Sequence, residues 1–295
     1  MPTRVAGGRS HAAGRRIGRR ARESRIKEAV TTTDEISSLT TGSLWRNIWQ
    51  LSWPMLLIMI FNFFVGFADI YVAGLISPEV QAAVGFVSLL YFTVIILANA
   101  ISIGTVALVS RAVGAGDFGR ALDVARQSLL LGGAVAVALT LVGYLFAREI
   151  VAAVGFPEEI REIAGIFLRI FSLGLGAEYM LIISNAVFRA GGDVRAALLT
   201  MFFASVLNVA GDFLLVFGLP GVPGLGYPGI AIATAASAAL GTGISFFLFF
   251  RGRWRSLYRG SWAARPATIR QISGLGWPSA MLQIAWNAEI GRAHV

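Results

Sequence analysis

Apolar residues along the chain fall into six long stretches separated by short polar segments. Each stretch is at least as long as the roughly 20 helical residues that cross the hydrocarbon core of a bilayer. The pattern predicts an all-α polytopic membrane protein, with a bundle of six helices and the start of a seventh. The stretches lie at residues 47–74, 80–110, 121–147, 160–188, 195–218 and 229–250, and the seventh begins near 269.

The first and seventh stretches begin with a similar sequence. "LSWPMLLIMIFNF" starts at Leu51, and "LGWPSAMLQIAWN" starts 224 residues later at Leu275. Both have Leu-x-Trp-Pro first and reach an asparagine eight or nine residues after the proline. One such match is weak evidence, but its position after a complete six-helix unit predicts a second repeat, which is common in transporters.

Composition supports a membrane protein and excludes some other classes. Of the 295 residues, 56% are hydrophobic and 14% are charged, and the mean hydropathy is +0.71. This is more apolar surface than a soluble globular domain needs. The 34 glycines suit helices whose backbones pack closely in lipid. The chain has no Cys, which excludes a disulfide framework and a thiolate metal site.

Most of the net charge of +9 belongs to the N-terminal segment. Residues 1–27 contain eight Arg and one Lys against the single acidic residue Glu23. No aromatic residue is interleaved with them to stack bases, so nucleic acid is not an expected partner. Residues 1–43 are predicted to form a basic, disordered cytoplasmic tail that touches membrane lipid, and an overextended start codon is the alternative.

The loops between the stretches carry an asymmetric charge that predicts the orientation. Arginines are concentrated in segments 111–126, 189–195 and 251–270, whereas the alternate loops are acidic, mixed or uncharged. By the positive-inside bias, these loops and the N-terminus lie in the cytoplasm, in a multi-pass protein of the plasma (inner) membrane. The predicted segments after the tail are the six-helix bundle (44–250), a basic cytoplasmic linker (251–268) and the start of a second bundle (269–289).

Polar and ionisable residues at membrane depth mark candidate functional positions, because their burial in lipid is costly. The first stretch contains Asp69, the fifth contains Asn208 and Asp212, and the sixth contains Thr234. Asn208 and Asp212 are four residues apart and share one helix face. A rise of about 1.5 Å per residue places both aspartates and Thr234 in the outer half of a core about 30 Å thick.

These four side chains have the chemistry of a cation site. Two carboxylates, an amide oxygen and a hydroxyl at one level are ligands that suit a proton or an alkali cation, and two close carboxylates cannot both ionise cheaply. We interpret Asp69, Asn208, Asp212 and Thr234 as a candidate site for Na⁺ or H⁺. Carboxylates and amides that only hydrogen-bond one helix to another are the alternative interpretation.

Glu178 lies nearer the middle of the fourth stretch, and Asn185 lies two turns further on the same side. A carboxylate at this depth fits a second proton site or a contact for a cationic ligand. A paired structural role is equally compatible with its position.

Motifs typical of several enzyme classes are absent from the sequence. "GLGYPG" from Gly224 to Gly229 matches GxGxxG, but it joins two membrane helices instead of following a strand. The sequence contains no Walker A motif, serine nucleophile elbow or zinc-ligand spacing, and its two histidines, His11 and His294, lie near the termini. No enzyme activity and no cofactor are expected, and ATP is not expected to drive the protein directly.

Three stretches form a combination that is more specific than any one of them. They are "LSWPMLLIMIFNFFVGFADIYVAGLI" from Leu51, "SRAVGAGDFGRALDVARQSLLL" from Ser110 and "NAVFRAGGDVRAALLTMFFASVLNVAGDFLLVFGLPGVPGLGYPGIAIAT" from Asn185. Together they resemble the first span, the second cytoplasmic-side motif and the fourth-to-sixth-span signature of the multidrug and toxic compound extrusion (MATE) transporters. The resemblance covers about residues 44–288.

This resemblance implies two six-helix bundles in a twelve-helix fold of the MATE/MOP type, working by alternating access. It also implies export of organic cations or amphiphilic drugs coupled to inward Na⁺ or H⁺. Asn185 resembles a position that lines the drug cavity, and we group Glu178 with it. The residues that match the family's cation site are Asp69, Asn208, Asp212 and Thr234, with the backbone carbonyl of Ile230 as a further ligand.

The resemblance also implies a missing C-terminal bundle. "IGRAHV" is what the start of a common sequencing adapter encodes, so residues 290–295 are interpreted as read-through in a truncated gene product. Alternating access moves one repeat against the other. The product is therefore expected to be inactive by itself.

Two other functions remain open from the sequence. A flippase for lipid-linked precursors, from the same superfamily, would favour a central cavity lined by several arginines, whereas the candidate cavity residues here are acidic or amide. A non-transporting membrane scaffold would be insensitive to replacement of Asp69 and Asp212 by Asn.

Overall fold

The computed structural model describes residues 44–293 of the chain. The predicted basic tail, residues 1–43, lies outside the described residues, as do the last two residues of the predicted read-through segment. Residues 52–293 form one compact unit. This unit contains the six candidate membrane spans of the described residues.

Six helices of the described part are long and apolar enough to cross a membrane, which confirms the six predicted spans. They are α1 (Leu44–Ile76), α2 (Pro78–Gly114), α3 (Phe118–Leu145), α5 (Glu158–Ala190), α6 (Val194–Phe217) and α7 (Pro228–Arg251). A short helix, α4 (Ala147–Ala152), lies between α3 and α5. Strands β1 (Gly218–Leu219) and β2 (Val222–Pro223) form an antiparallel hairpin between α6 and α7. A 3₁₀ helix (Arg253–Arg259) and α8 (Pro266–Ala293) follow α7.

Capping residues define the sharp turns between the long helices. The Ser77 side chain accepts a hydrogen bond from the backbone N–H of Val80 at 3.3 Å and so caps α2. Asp117 caps α3 by accepting from the backbone N–H of Arg120 at 2.9 Å. Gly116, just before it, has a φ of 74°, a conformation that glycine adopts without strain. The α2–α3 turn is therefore completed within a few residues.

Pro54 and Pro278 of the shared Trp-Pro sequence both lie inside helices, well after the starts of α1 and α8. The apolar pattern marks where a helix enters lipid, but backbone hydrogen bonding continues the helix through the residues that precede this point. The side chains of Trp53 and Trp277 are 39% and 60% exposed. Such exposed tryptophans are typical of the membrane–water interface.

Two glycines allow α8 to pack directly on α2. A Cβ atom at Gly104 of α2 would overlap the backbone carbonyl of Ile272 in α8. A Cβ atom at Gly276 of α8 would likewise overlap the backbone carbonyl of Ala100 in α2. Because neither glycine has a side chain, the two backbones touch, as small residues permit in membrane helix pairs.

Residues 252–265, which we call the docked linker, are fixed to α3 by polar contacts. Arg126 of α3 donates hydrogen bonds to the carbonyls of Ser256 and Leu257 at 2.9 and 2.8 Å. Asp123, also on α3, forms an ion pair with Arg265 at 2.9 Å. The segment predicted to be a basic linker is therefore held along its length against the bundle.

Gln127 and two apolar side chains complete this docking. The Gln127 amide donates to the carbonyl of Ala263 at 2.9 Å and accepts from the backbone N–H of Arg265 at 2.7 Å. Trp254 and Leu257 of the 3₁₀ helix are fully buried. Buried apolar side chains and satisfied backbone groups give this segment one defined position.

Candidate cation site

The acidic residue of α1 faces the polar pair of α6. The Asp69 side chain lies next to both Asp212 and Asn208. Asp212 is completely buried and Asn208 is 1% exposed. One turn of helix separates Asn208 from Asp212, so both side chains are presented on the same side of α6. The structure thus brings together three residues that the sequence places at a similar membrane depth.

A chain of hydrogen bonds connects this group to α7. The Asn208 amide donates to the hydroxyl of Thr234 at 3.1 Å. The Thr234 hydroxyl in turn donates to the carbonyl of Ile230 at 3.0 Å. A hydroxyl has one donor and can accept as well, so these two bonds fix the orientation of Thr234 and of the Asn208 amide. The Ile230 carbonyl therefore lies beside the group, bonded to Thr234.

Small residues allow Thr234 to approach α6. A Cβ atom at Gly174 of α5 would lie only 2.8 Å from the Cβ of Ala235, and one at Gly211 of α6 would lie 3.0 Å from the Cβ of Ala233. Larger side chains at these positions would push α7 away from α5 and α6. The run of small residues around Thr234 therefore brings its hydroxyl into contact with the α6 pair.

Four oxygen atoms of this cluster are buried without a hydrogen-bond partner: Oδ1 of Asp69, Oδ1 of Asn208, and both Oδ1 and Oδ2 of Asp212. Buried polar atoms in folded proteins are nearly always hydrogen-bonded, and an unpaired buried carboxylate is costly. A bound cation, or protons on the carboxylates, would satisfy these atoms. The donor set of carboxylate, amide and backbone-linked hydroxyl oxygens fits Na⁺ or H⁺.

Glu178 of α5 lies beside Tyr91 of α2. Tyr91 and Glu178 line a narrow pocket that reaches Thr234. In the described part of the chain, no three His, Cys, Asp or Glu side chains form a group that suits a metal ion. The role of Glu178 as a second proton site or a ligand contact stays a prediction.

Asn185 of α5 is buried and bonded to α6. The Thr200 hydroxyl donates to its Oδ1 at 2.7 Å, and the two side chains are 2% and 0% exposed, respectively. In this conformation Asn185 joins two helices, and its assignment to a drug cavity stays a prediction. The sequence did not predict that Thr200 would contact Asn185 or that Tyr91 would lie beside Glu178. The only feature of either residue in the sequence is a hydroxyl group within an apolar run.

Replacing Thr234 by Val is expected to lower the free energy of unfolding by about 1 kcal/mol. Valine keeps the branched shape but removes the acceptor for the Asn208 amide, which would then be buried without a partner. Thr234→Ser keeps the hydroxyl and is the matched control. Thermal unfolding of the purified chain in detergent measures the difference, and a valine variant as stable as the serine variant would contradict the bond.

A bundle of membrane-spanning helices with an acidic cluster buried between them defines a polytopic membrane protein with a candidate ion site. Comparison with known families makes this assignment specific. The MatE family model matches residues 54–214, more than half of the 295 residues, and the chain belongs to this family. Members of the family are transporters, in agreement with the expectation that the chain is not an enzyme.

Individual relatives and solved structures agree with this family. The probable multidrug resistance protein NorM of Thermotoga maritima is 25% identical over 245 residues, which cover 83% of this chain and 53% of the relative. The FAD transporter of Shewanella oneidensis is 26% identical over 214 residues, 71% of this chain and 46% of the relative. A MOP superfamily transporter from Pyrococcus furiosus, described as having a binding pocket of reverse polarity that suggests a different function, superposes with a TM-score of 0.75. It is 26% identical, over 85% of this chain and 55% of that one.

The chain spans about half the length of the curated relatives it matches. The matched structures confirm the predicted fold class, a six-helix bundle corresponding to one part of a larger MATE/MOP-type fold.

Proposed function

We propose that this chain forms the cation-binding bundle of an antiporter that exports organic cations or amphiphilic drugs, driven by inward Na⁺ or H⁺. The observation that carries the proposal is the set of four buried, unpartnered oxygen atoms on Asp69, Asn208 and Asp212. Such a group is stable only when a cation or a proton neutralises it. Its occupancy is therefore linked to the concentration of that ion on the side to which it opens.

The loose packing of α1 suggests how occupancy acts on the bundle. In the most apolar 18-residue segment of the span Ser52–Ile76 of α1, 17% of the residues are buried inside the bundle. The corresponding share is 39% in both α2 and α5. With the site empty, repulsion between Asp69 and Asp212 favours separation of α1 from α6; with the site filled, the shared ion holds them together. A ligand that binds one arrangement better shifts the population toward it.

The second half of the transport cycle requires a second bundle, because alternating access moves one repeat against the other. We infer that residues 44–250 form the first bundle, residues 251–268 a linker, and residues 269–289 the beginning of the next bundle. The arginine-rich loops then lie in the cytoplasm, with the protein in the plasma membrane.

The test is transport by the two-bundle protein in inside-out vesicles. A fluorescent organic cation is expected to accumulate when the vesicle interior is loaded with Na⁺ or acidified, since both conditions reproduce the inward gradient of the cell. Ionophores that collapse only the Na⁺ or only the H⁺ gradient identify the coupling ion. Accumulation that ignores both gradients and needs ATP would overturn the proposal.

The flippase alternative is less well supported by the described residues. Arg169 lies well inside α5 with its Nε atom buried and unpartnered, and an anionic lipid precursor would need several such arginines around one cavity. The acidic cluster favours a cation-driven exporter. A scaffold without transport would keep its function when Asp69 and Asp212 are both replaced by Asn.

A further inference from the structure

The end of α7 and the docked linker contain five arginines and no acidic residue. Arg251, Arg255 and Arg259 are exposed, and the sequence from residue 247 to residue 265 contains no Asp or Glu. Among the described residues, none of the three forms an ion pair. Arg265, by contrast, is neutralised by Asp123. This surface is therefore strongly positive and built on a segment with a fixed backbone.

Two of these arginines are stacked on aromatic side chains of α7. The Arg251 guanidinium lies 5.1 Å from the centre of the Phe247 ring, and that of Arg255 lies 5.4 Å from the centre of the Phe250 ring. Phe247 and Phe250 are three residues apart and so are neighbours on one helix face. Their rings hold the two guanidinium groups on the same side of α7, with their N–H donors available.

The same aromatic rings face outward from the bundle. Phe247 and Phe250 are each 54% exposed and lie in the last turns of a membrane-spanning helix. The Tyr258 ring contacts Phe250 edge-on at 6.1 Å, and its hydroxyl donates to the carbonyl of Phe246 at 2.7 Å. α8 packs on α2 and α3 and makes no comparable contact with α7 in the described part of the chain. This outward face of α7 is therefore left to lipid.

We propose that Arg251 and Arg255 bind the phosphodiester of an anionic glycerophospholipid, whose acyl chains lie against Phe247 and Phe250. Guanidinium groups bind phosphate oxygens through paired N–H donors. A zwitterionic headgroup gains less, because its ammonium group finds no carboxylate on this surface. Apolar rings beside paired cations at a helix end match the two parts of a phospholipid at the membrane interface. The lipid site is independent of the transport proposal, since it uses none of the acidic cluster.

Native mass spectrometry of the purified 295-residue chain in detergent tests the site. Phosphatidylglycerol is expected to remain bound about tenfold more than phosphatidylcholine of the same acyl composition. The double variant Arg251→Gln/Arg255→Gln keeps part of each side-chain stem over its ring and should lose this preference. Arg111→Gln/Arg195→Gln removes two other exposed arginines from the same end of the bundle and should keep it.

Each other result overturns the site. An equal loss in both double variants would mean that bulk positive charge attracts the lipid. No preference in the unmodified chain would mean that no anionic headgroup is selected. Displacement of phosphatidylglycerol by millimolar glycerol phosphate would assign the arginines to a soluble phosphate compound. Arg251→Lys/Arg255→Lys retains the charge, and a preference as strong as that of the unmodified chain would contradict paired guanidinium binding.

Discussion

Replacing Asp69 by Asn is expected to lower ion-driven transport by about 100-fold, because changes even in groups that support a ligand cost 10- to 100-fold. The same substitution is expected to raise the free energy of unfolding of the chain by about 1 kcal/mol, since the new amide can donate to an oxygen of Asp212. Opposite effects on activity and stability are what a site kept for function predicts. Dye transport in vesicles and thermal unfolding in detergent measure the two quantities.

Asp193→Asn provides the control for this change. Asp193 precedes α6 and its side chain caps no backbone N–H, so its replacement removes one carboxylate charge outside the cluster. We expect this variant to transport normally and to unfold at the same temperature as the unmodified protein. Normal transport by the Asp69→Asn variant, or a loss of stability in it, would show that Asp69 has only a structural role.

Replacing Gly104 by Val is expected to separate α8 from α2. The new side chain would occupy the position of the Ile272 carbonyl, and a backbone atom cannot move aside as a flexible side chain can. Overpacking of this kind costs about 1–3 kcal/mol, which corresponds to a fall of roughly 5- to 150-fold in the equilibrium constant for packing. Gly85→Val, on the same helix, is the matched control because no atom lies within 4 Å of its added Cβ.

Cross-linking measures this separation directly, because the sequence contains no cysteine. Leu108 of α2 and Leu275 of α8 line one pocket between the two helices. With Leu108→Cys and Leu275→Cys introduced, a short bifunctional thiol reagent should join them readily in the parent and in the Gly85→Val background. In the Gly104→Val background the rate should fall about tenfold. An unchanged rate would show that α8 is not held by the glycine contact.

The spans were predictable because a bilayer imposes a minimum length on apolar helices, and six helices of the described residues have that length. The proximity of Asp69 to Asp212 could also be predicted from the sequence. Helical rise converts residue counts into depth, and residues at one depth on different helices of a small bundle are near each other. Counting residues gives no information on rotation about a helix axis. It therefore did not show that Glu178 lies beside Tyr91 or that Asn185 faces Thr200.

The docking of the linker was not predictable for a different reason. Most of its hydrogen bonds come from Arg126 and Gln127, which have the appearance of ordinary charged and polar residues near an arginine-rich loop. Their partners are mainly backbone carbonyls and one backbone N–H, which every segment of a chain possesses and which leave no trace in its residue types. The periodicity of apolar residues therefore identifies helices that bury one face. It does not identify a segment that is held in place by hydrogen bonds to its main chain.

The docked linker also changes the energetics of what it connects. A flexible connection would let α8 explore a large volume, and each return to α2 would carry the entropy cost of closing a loop. The segment is fixed to α3 up to Arg265, and α8 begins at the next residue. The entropy cost of loop closure therefore arises only once, when the linker docks. The effective concentration of α8 beside α2 is then high before the two helices touch. A glycine contact of modest strength is sufficient to keep them together.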